Sequence, residues 1–245
     1  MPRFLGIGAM RSGTTWLATQ LARHPRVRIG RKEIHFFNRK IDQLGAAGSI
    51  RDRCNQLRYL ARFIQGPLHG GIRGELTPAY AILKPPLIQR IRTWMPDVRL
   101  IYLMRDPAER AWSQARYEFP VWWGRAIRDV DREELEEFLE SDDVRLRSDY
   151  VTCIKNWKRS FPTEQFFFGF LDDVQDRSEA LLRDVFEFIG VDSAVPLDSV
   201  TVQLTVGSAI AAPMPIWFRE HVENTWPLDT DQLADLIERD IPWAR

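Results

Sequence analysis

Two short apolar runs constrain this chain more than any other feature. "VRLIYLM" at 98–104 and "QFFFGFL" at 165–171 are each flanked by turn residues or charge. Runs of this length without alternation read as strands buried on both faces, the habit of a parallel sheet. Parallel neighbours need crossover connections rather than tight turns, and the rest of the chain supplies them. Phe4 to Ile7 reads as another strand, followed by a helix from Thr14 to Ala22 with Trp16, Leu17 and Leu21 on its packed side, stopped by His24-Pro25. Residues 27–38 read as a short strand and loop, and "IRGEL" as a strand ending near Glu75. Helical patterns cover 51–64, 85–94, 107–117, 131–140, 149–159, 176–189, 215 into the 220s and 230–239. The alternation predicts an α/β fold with a mainly parallel central sheet flanked by helices. Ligands in such folds sit outside the carboxyl ends of the strands. No Gly/Ser linker or low-complexity break divides the 245 residues, so 1–245 is expected to be one domain.

Bulk chemistry removes several functions. The 34 basic and 34 acidic side chains cancel, which gives no support to nucleic-acid binding. Residues 4–10 are too few to span a bilayer and follow no signal-type basic region, so a cytoplasmic protein without a transmembrane segment is expected. Cys54 and Cys153 lie far apart without metal-ligand spacing and read as reduced thiols; no cluster calls for a metal. Trp122-Trp123, beside Tyr117 and Phe119, either line an apolar acceptor site or serve the core.

The chemistry begins in "FLGIGAMRSGTTWL". Gly8 and Gly13, four residues between them, join a strand end to a helix start, where backbone N–H groups converge on an anion. This spacing places the expected fold among the P-loop-containing nucleotide-binding folds. A strict Walker loop needs lysine and then Ser/Thr after its last glycine, and Thr14 occupies the lysine slot. That argues against ATP or GTP hydrolysis but not against another anionic nucleotide. Thr14 and Thr15 can donate hydroxyls, and Arg11 can neutralise an oxyanion with a fixed fork of donors.

"GAMRSGTTWL" resembles the loop that cradles the 5′-phosphosulfate of the donor in PAPS-dependent sulfotransferases, which makes Arg11, Ser12, Gly13, Thr14, Thr15 and Trp16 the implied donor contacts. "LIYLMRDPAERAWSQARY" at 100–117 resembles the strand–loop–helix that binds the donor's 3′-phosphate, with Arg105 and Ser113 as implied ligands. These two lie eight residues apart across a proline-started helix, a spacing that lets them pinch one phosphate. Arg110 is a candidate for structural pairing or outlying charge. "RKEIHFFN" at 31–38 and "GELTPAYA" at 74–81 resemble segments of the heparan-type and related bacterial sulfotransferases. The resemblance implies Glu33 as general base, with His35 orienting the acceptor or acting as base itself. Lys32 is close to the donor or merely solvated. It covers nearly the whole chain and is sharpest through residue 117.

What it implies is an enzyme that moves a sulfuryl group from 3′-phosphoadenylyl sulfate (PAPS) to a hydroxyl or amine of a small-molecule or glycan acceptor, without a metal, leaving adenosine 3′,5′-bisphosphate. A Glu33 base would work better with its pKa raised by apolar neighbours such as Phe36 and Phe37. The chain departs from the pattern in three places. Arg11 replaces a usual lysine, Leu76 stands where heparan-type enzymes carry a catalytic lysine, and the late loop "TVGSAIAAPMP" at 205–215 has no basic residue. Residues 117–123 and 39–70 are the expected acceptor wall, and Tyr150 is expected to pack near the donor. The rivals are a P-loop small-molecule kinase using ATP–magnesium and an inactive relative that binds without turnover.

Overall fold

The apolar runs form strands of one parallel sheet. The structure is a computed structural model that describes residues 1–30, 33–38, 41–63, 71–195, 212–226 and 228–244. In chain order the elements are β1 (Phe4–Gly8), α1 (Thr14–Arg23), β2 (Val27–Ile29), α2 (Ile41–Leu44), α3 (Ile50–Ala61), β3 (Ile72–Leu76), α4 (Pro85–Trp94), β4 (Arg99–Met104), α5 (Pro107–Trp122), α6 (Arg132–Glu140), α7 (Asp142–Ser148), α8 (Tyr150–Lys158), β5 (Phe166–Phe170), α9 (Leu171–Asp176), α10 (Ser178–Ile189), α11 (Ile216–Thr225) and α12 (Thr230–Ile237). The strand order is β2-β3-β1-β4-β5 with every pairing parallel. From β1 the chain winds first to one side and then, through β4 and β5, to the other. The carboxyl ends of β1 and β4 therefore flank the switch point at which such sheets open a crevice.

The two faces follow from strand alternation. Leu100, Tyr102 and Met104 join the core with Ile88, Ile91, Trp157 and Leu233. Ile101 and Leu103, between them in sequence, join Trp16, Leu21, Leu181 and Phe186 on the opposite face. A third cluster, holding Ala111, Trp112, Phe119, Phe138 and Phe218, packs α5 against α6 and α11. Full burial of each large apolar side chain contributes about 1.5–3 kcal/mol before entropy is counted.

Where helices run differently from expectation, the cause is local. α5 continues five residues beyond Tyr117 with Pro120 inside it, because the ring of Phe119 is locked into the third cluster. The aromatic stretch 117–122 is thus the last part of a helix. Ser141 ends α6 and its side chain accepts from the Val144 amide to start α7, a helix the sequence pattern did not reveal. Cys54 is exposed and Cys153 buried, both as free thiols, and burial pushes the Cys153 thiol up to about 12. Among the described residues no helix is long and apolar enough to cross a membrane. The expected cytoplasmic location does not follow from that and finds no support in the fold.

Candidate active site

Gly13 at φ +85° starts α1, a left-handed position where a Cβ would be strained. Gly8 has a different reason. A Cβ there would meet the Tyr102 ring at 2.9 Å and the Ala81 Cβ at 3.0 Å, so the close approach it permits is to the core. Between them Ser12 is fully buried and its Oγ has no hydrogen-bond partner, an unusual state for a buried hydroxyl. Thr14 is buried and Thr15 exposed. Trp16 points into the α1-side core, with its indole N–H also without a partner.

Arg11, at φ 66°, reaches across the crevice. Its Nε donates to Ser113 Oγ at 3.1 Å, and its guanidinium carbon lies 4.8 Å from the centre of the Tyr117 ring. Arg105, just beyond β4, donates to Glu109 Oε2 at 3.0 Å, and its carbonyl accepts the Tyr150 hydroxyl at 2.7 Å. The structure thus brings Arg11, Arg105 and Ser113 to one crevice, but the hydroxyl of Ser113 is held by Arg11. Tyr150 touches the backbone of Arg105 from within the core.

The charges do not balance here. Glu109 is shared with Arg219 at 2.9 Å, and Arg219 also bonds Asp106 at 3.3 Å. Arg116, one turn beyond Ser113, has a buried Nε without a partner. Burial lowers the pKa of Arg11 and of Arg105; Tyr117 and Glu118 work against it at Arg11 and Glu109 at Arg105, while Arg116 pushes both further down. Loop, helix start and three crowded guanidinium groups fit an anionic ligand. Arg110 belongs elsewhere. It is fully buried, donating to Ser148 Oγ at 2.7 Å, Gln114 Oε1 at 2.7 Å and the Val144 carbonyl at 2.8 Å. Burial pushes it down to about 10.

Glu33 and His35 follow β2 at the same edge of the sheet, both left-handed, at φ 55° and 50°. Glu33 Oε2 is 3.4 Å from His35 Nε2, and both side chains are substantially exposed. The Glu33 amide donates to the Leu76 carbonyl at 3.2 Å, docking this turn on the end of β3. Phe36 and Phe37 turn into the core against Tyr59 and Trp94, so their apolar surface is not spent around the Glu33 carboxyl. Lys32 lies outside the described residues. Leu76 is buried with Phe4 and Trp16, on the face away from Glu75. Of the late loop, 205–211 lie outside the described residues, while the Ala212 carbonyl accepts from the Trp112 indole at 3.1 Å. Trp122 and Trp123 are exposed, and Tyr117 joins Trp122 to Arg11 through a ring contact of 6.3 Å.

Two residues escaped the sequence reading. Arg116 is three residues from Ser113 on one helix, a spacing that already placed both on one face. Glu75 is fully buried and accepts from the Tyr59 hydroxyl at 2.6 Å, the Thr77 hydroxyl at 2.8 Å and the Tyr80 hydroxyl at 3.3 Å. Its only sequence signal was a charge in an apolar strand, two residues before a hydroxyl. Among the described residues no group of three His, Cys, Asp or Glu side chains is placed to hold a metal ion.

Residues 2–207 match the sulfotransferase domain family. The chain is 30% identical over 163 residues to the membrane-associated sulfotransferase kil1 of Dictyostelium discoideum, covering 65% of this chain and 31% of that protein. It is 26% identical over 197 residues to heparan sulfate glucosamine 3-O-sulfotransferase 3A1 of Mus musculus, covering 78% of this chain and 46% of that one. The chain therefore spans less than half the length of either relative. The crystal structure of a sulfotransferase from Alicyclobacillus acidocaldarius superposes with a TM-score of 0.72 at 25% identity, over 98% of this chain and 97% of the other. That likeness corrects the expected fold class. The α/β architecture with its parallel sheet stands, but the P-loop-containing nucleotide-binding class does not. The glycine spacing that suggested it comes without the Walker lysine, and Arg11 is committed to Ser113. With the family match running over most of its length, this chain belongs to the sulfotransferase domain family.

Proposed function

We propose that the site transfers a sulfuryl group from 3′-phosphoadenylyl sulfate to a hydroxyl, or an amine, of a small-molecule or glycan acceptor. The observation that carries this reading is the excess of half-buried cation at the β1–β4 switch point, where Arg11 and Arg116 make no ion pair with a carboxylate among the described residues. Arg105 and Ser113 would hold the 3′-phosphate. Arg11, the Ser12, Thr14 and Thr15 hydroxyls and the Gly13 turn at the start of α1 would hold the 5′ end. Trp16 would support that loop from below. The whole of 1–245 would serve as one such domain. The donor supplies the sulfuryl group and leaves as adenosine 3′,5′-bisphosphate.

Transfer of this kind asks the protein for positioning and for stabilisation of charge, as phosphoryl transfer does. Glu33 would take the proton of the acceptor, with His35, 3.4 Å away, orienting the carboxylate or sharing the proton. Lys32 belongs to the same motif and would add a charge near the donor. The exposed Tyr117–Trp122 pair leads away from Arg11 and suits an apolar or sugar face of the acceptor. The glycan alternative comes from the heparan sulfate relative, and the buried Leu76 counts against it.

Calorimetric titration with adenosine 3′,5′-bisphosphate against ATP–magnesium tests the donor. An acceptor screen on wild type and Glu33→Gln tests the base. Preferential bisphosphate binding is expected, with Glu33→Gln binding normally and turning over about 10²- to 10⁴-fold more slowly. Binding of ATP–magnesium alone removes the donor assignment, and wild-type turnover in Glu33→Gln removes the base assignment.

A further inference from the structure

We propose that Tyr80, its hydroxyl held by the buried carboxyl of Glu75, is a positioning residue for the Glu33–His35 turn, acting on it from inside the core; this rests on Glu33 being the proton acceptor of the proposed transfer. A carboxylate is costly to bury unless its lone pairs are filled. Among the described residues Glu75 has no arginine or lysine partner. Its oxygens accept instead from the hydroxyls of Tyr59 at 2.6 Å, Thr77 at 2.8 Å and Tyr80 at 3.3 Å, and from the backbone amide of Ile34. These four donors fill the carboxyl's acceptor positions and offset part of the burial that raises its pKa.

Two of the four lead directly to the turn. The Ile34 amide lies between Glu33 and His35. The Tyr80 oxygen gives its proton to Glu75 and accepts the Phe36 amide at 3.0 Å, so one hydroxyl relays the carboxylate to the residue after His35. With the Glu33 amide on the Leu76 carbonyl at 3.2 Å, the turn is tied at 33, 34 and 36 to the end of β3 and to Tyr80 just beyond it. Such anchoring is what two non-glycine left-handed residues require. That conformation persists only where its surroundings over-determine it, and both residues that adopt it here are the ones assigned to proton transfer. The other two donors, Tyr59 and Thr77, bond Glu75 without reaching the turn through the same oxygen. Tyr59 and Tyr80 both meet the Phe37 ring edge-on, and both Phe variants keep those rings in place.

That difference supplies the test. Tyr80→Phe removes the relay and keeps the ring, whereas Tyr59→Phe removes a bond to the same carboxylate and leaves the turn anchored. Wild type, both variants and Glu33→Gln would be compared for kcat, acceptor KM, adenosine 3′,5′-bisphosphate Kd, melting temperature and amide hydrogen exchange across 33–37. Tyr80→Phe is expected to lower kcat about ten- to a hundredfold, the range a small misplacement of a reacting group produces. Its Kd should stay within about twofold of wild type and amides 34–37 should lose protection. Tyr59→Phe is expected to melt at least as early as Tyr80→Phe while keeping kcat within about threefold of wild type. Equal losses of kcat in the two variants, or wild-type kcat and protection in Tyr80→Phe, overturn the inference. If Glu33→Gln keeps the wild-type rate, the base assignment falls and exchange alone decides: loss of protection in Tyr80→Phe but not Tyr59→Phe sustains the anchor, and any other pattern removes it.

Discussion

Two strand ends on one edge of the sheet gather arginines and use them in opposite ways. At the end of β5, Asp173 accepts the Phe170 amide at 2.8 Å, Arg177 at 2.9 Å and Arg239 through two bonds of 2.8 and 2.5 Å. Burial alone would raise its pKa, but the bonds from Arg239 and Arg177 outweigh burial and hold the carboxyl below its usual range. Arg177 reaches a second carboxylate, Asp184, at 3.0 Å. The network is closed, and it ties the strand end to the residues after α12. At the end of β4, Arg105 shares one carboxylate with Arg219, Arg11 is answered by a serine and a ring, and Arg116 keeps a buried Nε unanswered. Arginine content does not separate the two corners. Charge balance does, and a poorly compensated, half-buried cation persists only where something else offsets its desolvation.

The comparison predicts a double dissociation. Arg105→Ala should weaken adenosine 3′,5′-bisphosphate binding by about 1.5–3 kcal/mol, roughly ten- to 150-fold by calorimetry. Urea unfolding should show a stability change within about 1 kcal/mol, because the lost pair with Glu109 is partly exposed and Arg105 is crowded by other cations. Asp173→Asn should do the reverse. Removing a charge that answers two arginines and an amide should cost about 1–3 kcal/mol of stability and leave bisphosphate affinity within about twofold. If both substitutions move both quantities, the two corners are one network and the contrast fails.

The pH dependence sharpens it. A carboxyl whose folded pKa is depressed contributes stability that is fully present above its unfolded value and lost as pH falls through the folded one. For Asp173 the unfolded reference is 3.8. The stability gap between wild type and Asp173→Asn should be constant from neutral pH to about 5 and narrow steadily below that reference, as followed by urea midpoints. A gap that widens on acidification would show that the arginines at β5 do not hold this carboxyl.

Much of this was legible from residues alone, and the failures have physical causes. β4 and β5 declared themselves because a strand buried on both faces needs an unbroken apolar run, which "LIYLM" after Arg99 and "FFFGF" after Gln165 supply. The Glu33 motif and the Arg105–Ser113 spacing carried enough local chemistry to be proposed as site residues, and the fold brings Arg105 and Ser113 to one crevice with Arg11. Glu75 did not, because its partner Tyr59 comes from α3, sixteen residues away, and meets it only in the folded chain. Phe36 and Phe37 stood beside Glu33 in sequence as apolar neighbours that would suit it as a base. Backbone direction decides that, and the left-handed turn at His35 sends both rings inward. The glycine spacing of the first loop misled on fold class because the same spacing serves two tasks here, a turn at Gly13 and contact with Tyr102 at Gly8.

Arg116 offers the finest cut between the two corners. It carries charge that Arg11 and Arg105 both feel, yet it bonds no described carboxylate and was implied by no motif. If the crevice is a site because it is unbalanced, Arg116→Gln should lower bisphosphate affinity by about 1 kcal/mol, roughly fivefold, less than Arg105→Ala because it acts at longer range. Stability should hold or rise slightly, since like-charge crowding is relieved. Raising the salt concentration should shrink the difference only modestly, because a half-buried charge is screened less than an exposed one. Calorimetry at two ionic strengths checks all of this. A loss of stability with no loss of affinity would put Arg116 beside Asp173 among the structural charges, and the imbalance at β4 would then have to be carried by Arg11 and Arg105 alone.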